Sequence, residues 1–273
     1  MDDRISLNVQ DHVAEVVLDR PGQHNALDLR MFEALAAAAD TLAGNGTVRA
    51  VVLRGAGDNF CAGIDLELFS TAADGIHPAM FAPQPGSPAN LFQRAAYAWR
   101  ELPVPVICAM QGIAWGGGMQ IALGADLRYA APDARLSIME IRWGLVPDMA
   151  ISATARGVVD VDVLKELAWT GRIVDAAEAD RLGLVTAVHD DPLAAARSTA
   201  SEIAARSPEA VRAIKRLFEA GWQSPVAKSL ALEAALQGDI LGKPNQLEAV
   251  KANLDQRRPQ FVDVGGDGDG EMA

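Results

Sequence analysis

With 273 residues, the chain is long enough to bury on the order of three quarters of its unfolded surface. Half of the residues are hydrophobic but only 5% are aromatic, so Ala, Val, Leu and Ile must fill the core. Asp and Glu outnumber Lys and Arg by 36 to 24, and a formal charge of −12 without a basic stripe excludes nucleic acid as a partner while leaving room for a locally held anionic substrate.

The first ten residues carry acidic groups and no apolar signal segment, and no stretch approaches the roughly 20 apolar residues of a membrane span, which predicts a cytoplasmic protein. Ile5 to Val9 and Val13 to Leu18 read as a β-hairpin across Gln10-Asp11-His12. Asp28 can cap a helix with Phe32, Leu35, Ala39 and Leu42 on one face and a stop at Gly44. Val48 to Leu53 is a strand-like run, apolar but for Arg49, the pattern of a sheet covered on both faces. Six prolines and glycines between Ser70 and Ala89 predict a long loop of the kind that covers sites. A helix follows over Ala89 to Glu101, and Pro103 and Pro105 lead into the strand that begins at Val106.

That strand is the centre of the sequence. It ends at Gln111-Gly112, and Gly116, Gly117 and Gly118 then open a helical segment, Met119 to Leu123. Further strands are expected over Asp126 to Ala130, Arg135 to Ile138 and Leu184 to Val188, with an irregular loop from Met139 to Asp148. Helices are expected over Val161–Thr170, Ala176–Leu182, Leu193–Ala205, Pro208–Ala220, Pro225–Leu236 and Gln246–Gln256. The pattern predicts an α/β core over residues 1–200, built of strand–strand–helix units, a helical region over 201–262 and a disordered Gly/Asp-rich tail over 263–273. A doubly wound sheet is the weaker alternative.

A strand that delivers bare glycine backbone to a helix start presents unpaired N–H groups to negative charge. A second such stretch is Asn59 to Asp65, after the strand-like run Ala50 to Arg54. Two strand ends with main-chain donors meet the requirement for an oxyanion hole, and packing turns are the simpler alternative. Gly55-Ala56-Gly57 lacks the third glycine of a dinucleotide fingerprint, Gly242-Lys243-Pro244 lacks a phosphate loop, and no G-x-S-x-G elbow occurs. His12, His24, His77 and His189 are scattered and read as surface residues, and Cys61 and Cys108 form no metal or disulfide pattern. Proton chemistry is left to Gln120, to Glu140 in its apolar surroundings and to Asp148, which the breaks at Gly144 and Pro147 can fold back towards it. For Glu140 a salt bridge with Arg142 or Arg135 competes with that reading; for Asp148, a cap for a helix near Ile151 does.

These stretches together resemble the crotonase (enoyl-CoA hydratase/isomerase) superfamily. The resemblance rests on Arg20-Pro21 with Asn25-Ala26-Leu27, Phe60 to Leu66, Gly112 to Leu123, Glu140 with Gly144-Leu145 and Pro147, and Thr170-Gly171-Arg172. It implies a spiral of ββα units, a helical C-terminal region that completes a homotrimer or hexamer, and an acyl-CoA thioester substrate with no cofactor beyond that coenzyme A. It assigns the oxyanion donors to Ala62 and Gly117 and substrate contacts to Gly63, Asp65 and Gly116. Gln120 stands where hydratases of the family carry a glutamate, so the resemblance favours isomerisation of an enoyl- or dienoyl-CoA through Glu140 with Asp148. Hydration of a 2-enoyl-CoA and acyl-CoA binding without turnover are the alternatives. Lys215, Lys243, Arg257 and Arg258 are the cations available for the CoA phosphates.

Overall fold

The computed structural model describes residues 3–68 and 81–265. Asp11 and His12 both adopt left-handed conformations and turn β1 (Ile5–Gln10) back onto β2 (Val13–Leu18), a reversal whose twist suits an antiparallel pair. The Asp28 carboxylate accepts the Met31 N–H at 2.8 Å and starts the helix Leu29–Ala43, which ends at Gly44 as the sequence predicts. A capping box between Asn90 and Gln93 starts the helix Leu91–Glu101.

β3 (Ala50–Gly55) and β4 (Val106–Met110) are almost wholly buried because both faces of their sheet are covered. Val51, Leu53, Val106, Cys108 and Met110 point into the main core with the helices Leu29–Ala43 and Leu91–Glu101. Their neighbours Ala50, Val52, Ile107 and Ala109 point the other way, onto Ala196 and Ala200 of the helix Pro192–Ala204. The period of two is the strand's own.

The six-stranded sheet runs β1-β2-β3-β4-β6-β9, with β6 spanning Leu127–Ala130 and β9 Ala187–Val188. Only the β1–β2 pair is antiparallel. A second, three-stranded sheet contains β5 (Ile113–Trp115), β7 (Arg135–Ser137) and β8 (Val174–Asp175). Successive strands thus go to different sheets: β4 and β6 build the large one, β5 and β7 the small one. This is how the repeating strand–strand–helix units of the sequence become a spiral. The sequence did not reveal β5 as a separate strand, because the three residues between Gly112 and Gly116 are too few to show a period.

The predicted irregular loop after β7 begins as a 3₁₀ turn, Glu140–Trp143, stopped by Gly144 in a left-handed conformation. The expected strand Leu184 to Val188 contracts to its last two residues, the part that reaches β6. The C-terminal helices Pro208–Gly221, Val226–Ile240 and Pro244–Leu254 bury little of themselves, and Trp222 and Leu254 are 72% and 79% exposed. The expected loop over 70–89 lies outside the described residues as far as residue 80, and so does the expected tail beyond residue 265.

Candidate active site

The two strand-end loops singled out by the sequence lie against each other. Phe60 N–H donates to Gln111 O at 2.9 Å, Cys61 N–H to Ile113 O at 3.0 Å, and Trp115 N–H to Cys61 O at 3.0 Å. A bridge between Cys61 and Ala114 therefore extends the small sheet into the first loop. The approach is closer than side chains allow: a Cβ on Gly118 would sit 2.5 Å from Cys61 O, and one on Gly63 2.7 Å from Trp115 O and 3.4 Å from the Gly117 nitrogen.

Gly117 is the first residue of the helix Gly117–Leu123, where an N–H has no intrahelical acceptor. Its expected counterpart, Ala62, is corrected by the structure: the Ala62 N–H donates to His24 O at 2.9 Å and is not free. Simple strand alternation would turn the amide of residue 64 the same way as that of residue 62. Gly63 prevents this with φ 89°, which reverses the direction of the chain's donors. Beyond it, Leu27 N–H donates to Gly63 O at 2.8 Å and Asp65 N–H to Leu27 O at 3.0 Å. Ile64, paired between them with Leu27, directs its own N–H away from Leu27, and that amide has no partner among the described residues. Among the described residues Ile64 is thus a free donor in the first loop, and Gly117 is the first of the unpaired amides that open the helix in the second. The reversal at Gly63 is a backbone angle, and the assignment of the donor to Ala62 on the family resemblance falls two residues early.

Gln120 and Glu140 meet in the interior, 1% and 7% exposed. Met149 N–H donates to Gln120 Oε1 at 2.8 Å, which turns Gln120 Nε2 towards Glu140 Oε1, 2.5 Å away. The other carboxylate oxygen, Glu140 Oε2, is buried without a hydrogen-bond partner. Burial raises the Glu140 pKa, the Gln120 hydrogen bond opposes the rise, and the charge of Asp148 adds to it. No salt bridge to Arg142 or Arg135 forms. Asp148 is exposed at the end of the same loop, where partial desolvation raises its pKa too. It does not cap the next helix, whose N-cap is Ala150. A Cβ on Gly116 would lie 3.3 Å from Glu140 Oε1, so the acid stands directly beside the start of the glycine helix. One buried acid with a free oxygen, beside the start of the helix that carries the Gly117 amide, can move a proton at a carbon whose neighbouring carbonyl takes up charge.

The remaining sequence candidates divide. Gly116 N–H is spent on Ser137 O at 2.9 Å. Both Asp65 oxygens are engaged within the chain, Oδ2 by Arg20 and Oδ1 by the Glu67 N–H. Lys215 is corrected as a phosphate ligand: its buried ammonium donates to Trp99 O, Val104 O and Asp126 Oδ2. Arg257 is paired with Glu248, while Lys243 and Arg258 are exposed. The Cys61 thiol is buried, donates to Asn25 O and has its pKa pushed up to about 12 by burial, so it is no nucleophile. His12 and His24 bond at the surface to Thr47 O and the Asn59 side chain. Sequence reasoning missed Asn25, which is fully buried and directs Nδ2 to the carbonyls of Ala56, Asn59 and Phe60. Its signal in the sequence was its place in the Asn25-Ala26-Leu27 stretch of the family resemblance, which gave it no role.

A family model described as enoyl-CoA hydratase/isomerase matches residues 8–264. The chain is 33% identical to a mitochondrial enoyl-CoA hydratase domain-containing protein 2 of Bos taurus, over 92% of this chain and 84% of that one. Its structure superposes on that of an enoyl-CoA hydratase from Bacillus anthracis with a TM-score of 0.85, at 29% identity, covering 97% of this chain and 100% of the other. An enoyl-CoA hydratase from Polaromonas sp. JS666 gives 0.84 at 28% identity, over 94% and 99%.

Proposed function

This chain belongs to the enoyl-CoA hydratase/isomerase family of the crotonase superfamily, and from that premise we propose that it shifts the double bond of an unsaturated acyl-CoA. Glu140 Oε2 takes a proton from C2 of a 3-enoyl thioester. The electron pair left behind moves onto the thioester oxygen, which the Ile64 and Gly117 amides hold as an enolate. Glu140 then returns the proton at C4, so the double bond moves from C3–C4 to C2–C3 and no atom is gained or lost. With a 3,5-dienoyl thioester, Asp148 at the open end of the loop is the second acid, delivering a proton at C6 while Glu140 keeps the one from C2.

The observation that carries this reading is the single unpartnered oxygen of a buried Glu140, opposite an amide and not a second acid. Gln120 can orient a group but cannot take its proton. Turnover of 3-enoyl- and 3,5-dienoyl-CoA by wild type, Glu140→Gln and Asp148→Asn tests it. Glu140→Gln is expected to lose roughly 10²- to 10⁴-fold on both substrates, and Asp148→Asn only on the dienoyl substrate; equal rates in all three would end the assignment. The raised pKa of Glu140 puts the acid limb of kcat/KM above the ordinary carboxylate range. It also means that the stability this site contributes is complete at low pH and lost as pH rises through the raised value, so Glu140→Gln gains in relative stability over the same window.

The names of the relatives favour a second reading, hydration of a 2-enoyl-CoA. Hydration of crotonyl-CoA that rises in Gln120→Glu would support it. We further propose that the region 201–262 forms a homotrimer or hexamer, because Ile214, Phe218, Trp222, Val226 and Leu230 leave large apolar surfaces uncovered on its helices.

A further inference from the structure

The Ile64 amide has no side chain of its own to aim it, and what surrounds it is a set of bonds leading to one arginine. Arg20 lies between β2 and the helix Leu29–Ala43 with its backbone fixed by Asn25: Arg20 N–H donates to Asn25 Oδ1 at 2.8 Å, and Asn25 N–H returns a bond to Arg20 O at 2.9 Å. From that anchored position its Nη1 donates to Ala26 O at 3.0 Å and to Asp65 Oδ2 at 2.5 Å. Asp65 directly follows Ile64, and its other oxygen accepts the Glu67 N–H at 3.0 Å. Burial alone would raise the pKa of this carboxyl, but the bonds from Arg20 and Glu67 hold it below the usual range, so it stays ionised. Both oxygens are thus engaged within the chain.

We propose that the Arg20–Asp65 pair is a positioning device, fixing the peptide between Gly63 and Asp65 so that the Ile64 N–H points at the thioester oxygen. Asp65 then acts on the reaction through Ile64 and touches no reacting atom. This role presupposes the oxyanion hole of the preceding section. A small rotation of that peptide would leave acyl-CoA affinity intact and weaken only the hold on developing negative charge, because ground-state thioester oxygen demands less of the donor than enolate does.

Acetoacetyl-CoA separates the two effects, since its enolate absorbs in the near ultraviolet and its neutral keto form does not. Butyryl-CoA, which cannot ionise usefully, reports binding alone. In Asp65→Asn the bound enolate is expected to weaken by about tenfold while the butyryl-CoA Kd stays within about twofold. Arg20→Gln should lose as much, and the double variant no more than either single one, as befits residues acting through one contact. Arg20→Lys keeps the charge but not the forked reach, and should fall between; it is the variant to rely on if Arg20→Gln does not fold. Enolate binding equal to wild type in the folded variants would overturn the positioning role. A parallel loss of both ligands would overturn it too, reducing the pair to a fold-holding salt bridge. If wild type itself does not ionise bound acetoacetyl-CoA, the oxyanion hole fails and this role with it, an outcome distinct from the other two.

Discussion

The loop that carries Gly117 is kept in place by missing side chains, whereas the loop that carries Ile64 is kept in place by added ones. Around Gly117, a Cβ on Gly118 would meet the Cys61 carbonyl oxygen at 2.5 Å, and one on Gly117 would press the Leu27 and Met149 side chains at 2.8 Å. Around Ile64, the buried Asn25 amide holds three carbonyls, Arg20 holds Asp65, and one left-handed glycine reverses the chain. Both arrangements leave an amide unpaired among the described residues, Gly117 in the one and Ile64 in the other, and a Cβ on Gly63 would lie 3.4 Å from the Gly117 nitrogen. The first is stiff because packing leaves it no alternative, and the second because polar groups would be stranded if it moved. The two should therefore fail differently.

The largest failure belongs to the packed loop. In Gly118→Ala the new Cβ meets backbone, Cys61 O at 2.5 Å, and also Cys61 Cβ at 2.8 Å, and neither can turn aside. The loops must separate, and the Gly117 amide moves with them. Turnover is expected to fall by at least about 10²-fold with Tm clearly lowered, since overpacking of this kind costs about 1–3 kcal/mol and removing one oxyanion donor about 10²–10³ in rate. Near-wild-type turnover in this variant would show that contact between the loops is not what aligns the donors.

Asn25→Ala tests the polar loop and should do less to rate and more to stability. It strands buried carbonyls of Ala56, Asn59 and Phe60 and puts Ala at φ 56°, a total of about 3 kcal/mol. Asn25→Gly loses the same hydrogen bonds without the backbone strain, so urea titrations should place it about 1 kcal/mol above Asn25→Ala. Should the two be equally stable, the left-handed conformation is not a cost that Asn25 is there to bear.

The contrast also explains what could be read from the sequence. The packed loop is written in composition: Gly116, Gly117 and Gly118 after an apolar strand announce a close approach, and the sequence puts Gln120 one turn into the helix and Glu140 in apolar surroundings, though not their hydrogen bond to each other. The hairpin, the Asp28 cap and the buried β4 were visible through local pattern for the same reason. The polar loop depends on partners about 40 residues away, Arg20 with Asp65 and Asn25 with Phe60, and on a single dihedral at Gly63. No local pattern records these. The result was a free amide placed at Ala62, whose N–H is taken by His24 O. Sheet membership was hidden likewise: that β4 and β5 belong to different sheets depends on partners, not on either strand's residues.

Cys61 sits where the two kinds of loop touch, and the smallest effect is expected there. Its backbone is bonded to Ile113 and Trp115 of the packed loop, while its thiol donates to Asn25 O at 3.1 Å and lies 3.5 Å from the Gly63 nitrogen. If the thiol only completes that contact, serine can replace it, since a hydroxyl is slightly smaller and a better donor to the same carbonyl. Cys61→Ser is then expected to keep turnover within about twofold and stability within about 1 kcal/mol. The native thiol, complete burial having raised its pKa to about 12, should also resist iodoacetamide until the protein unfolds. A hundredfold loss in the serine variant, or rapid labelling of the native protein, would place a reactive sulfur beside the Ile64 amide. The Ile64 loop would then bring a reacting group of its own as well as a donor, and the division between two loops that only hold charge and one acid that moves protons would no longer describe the site.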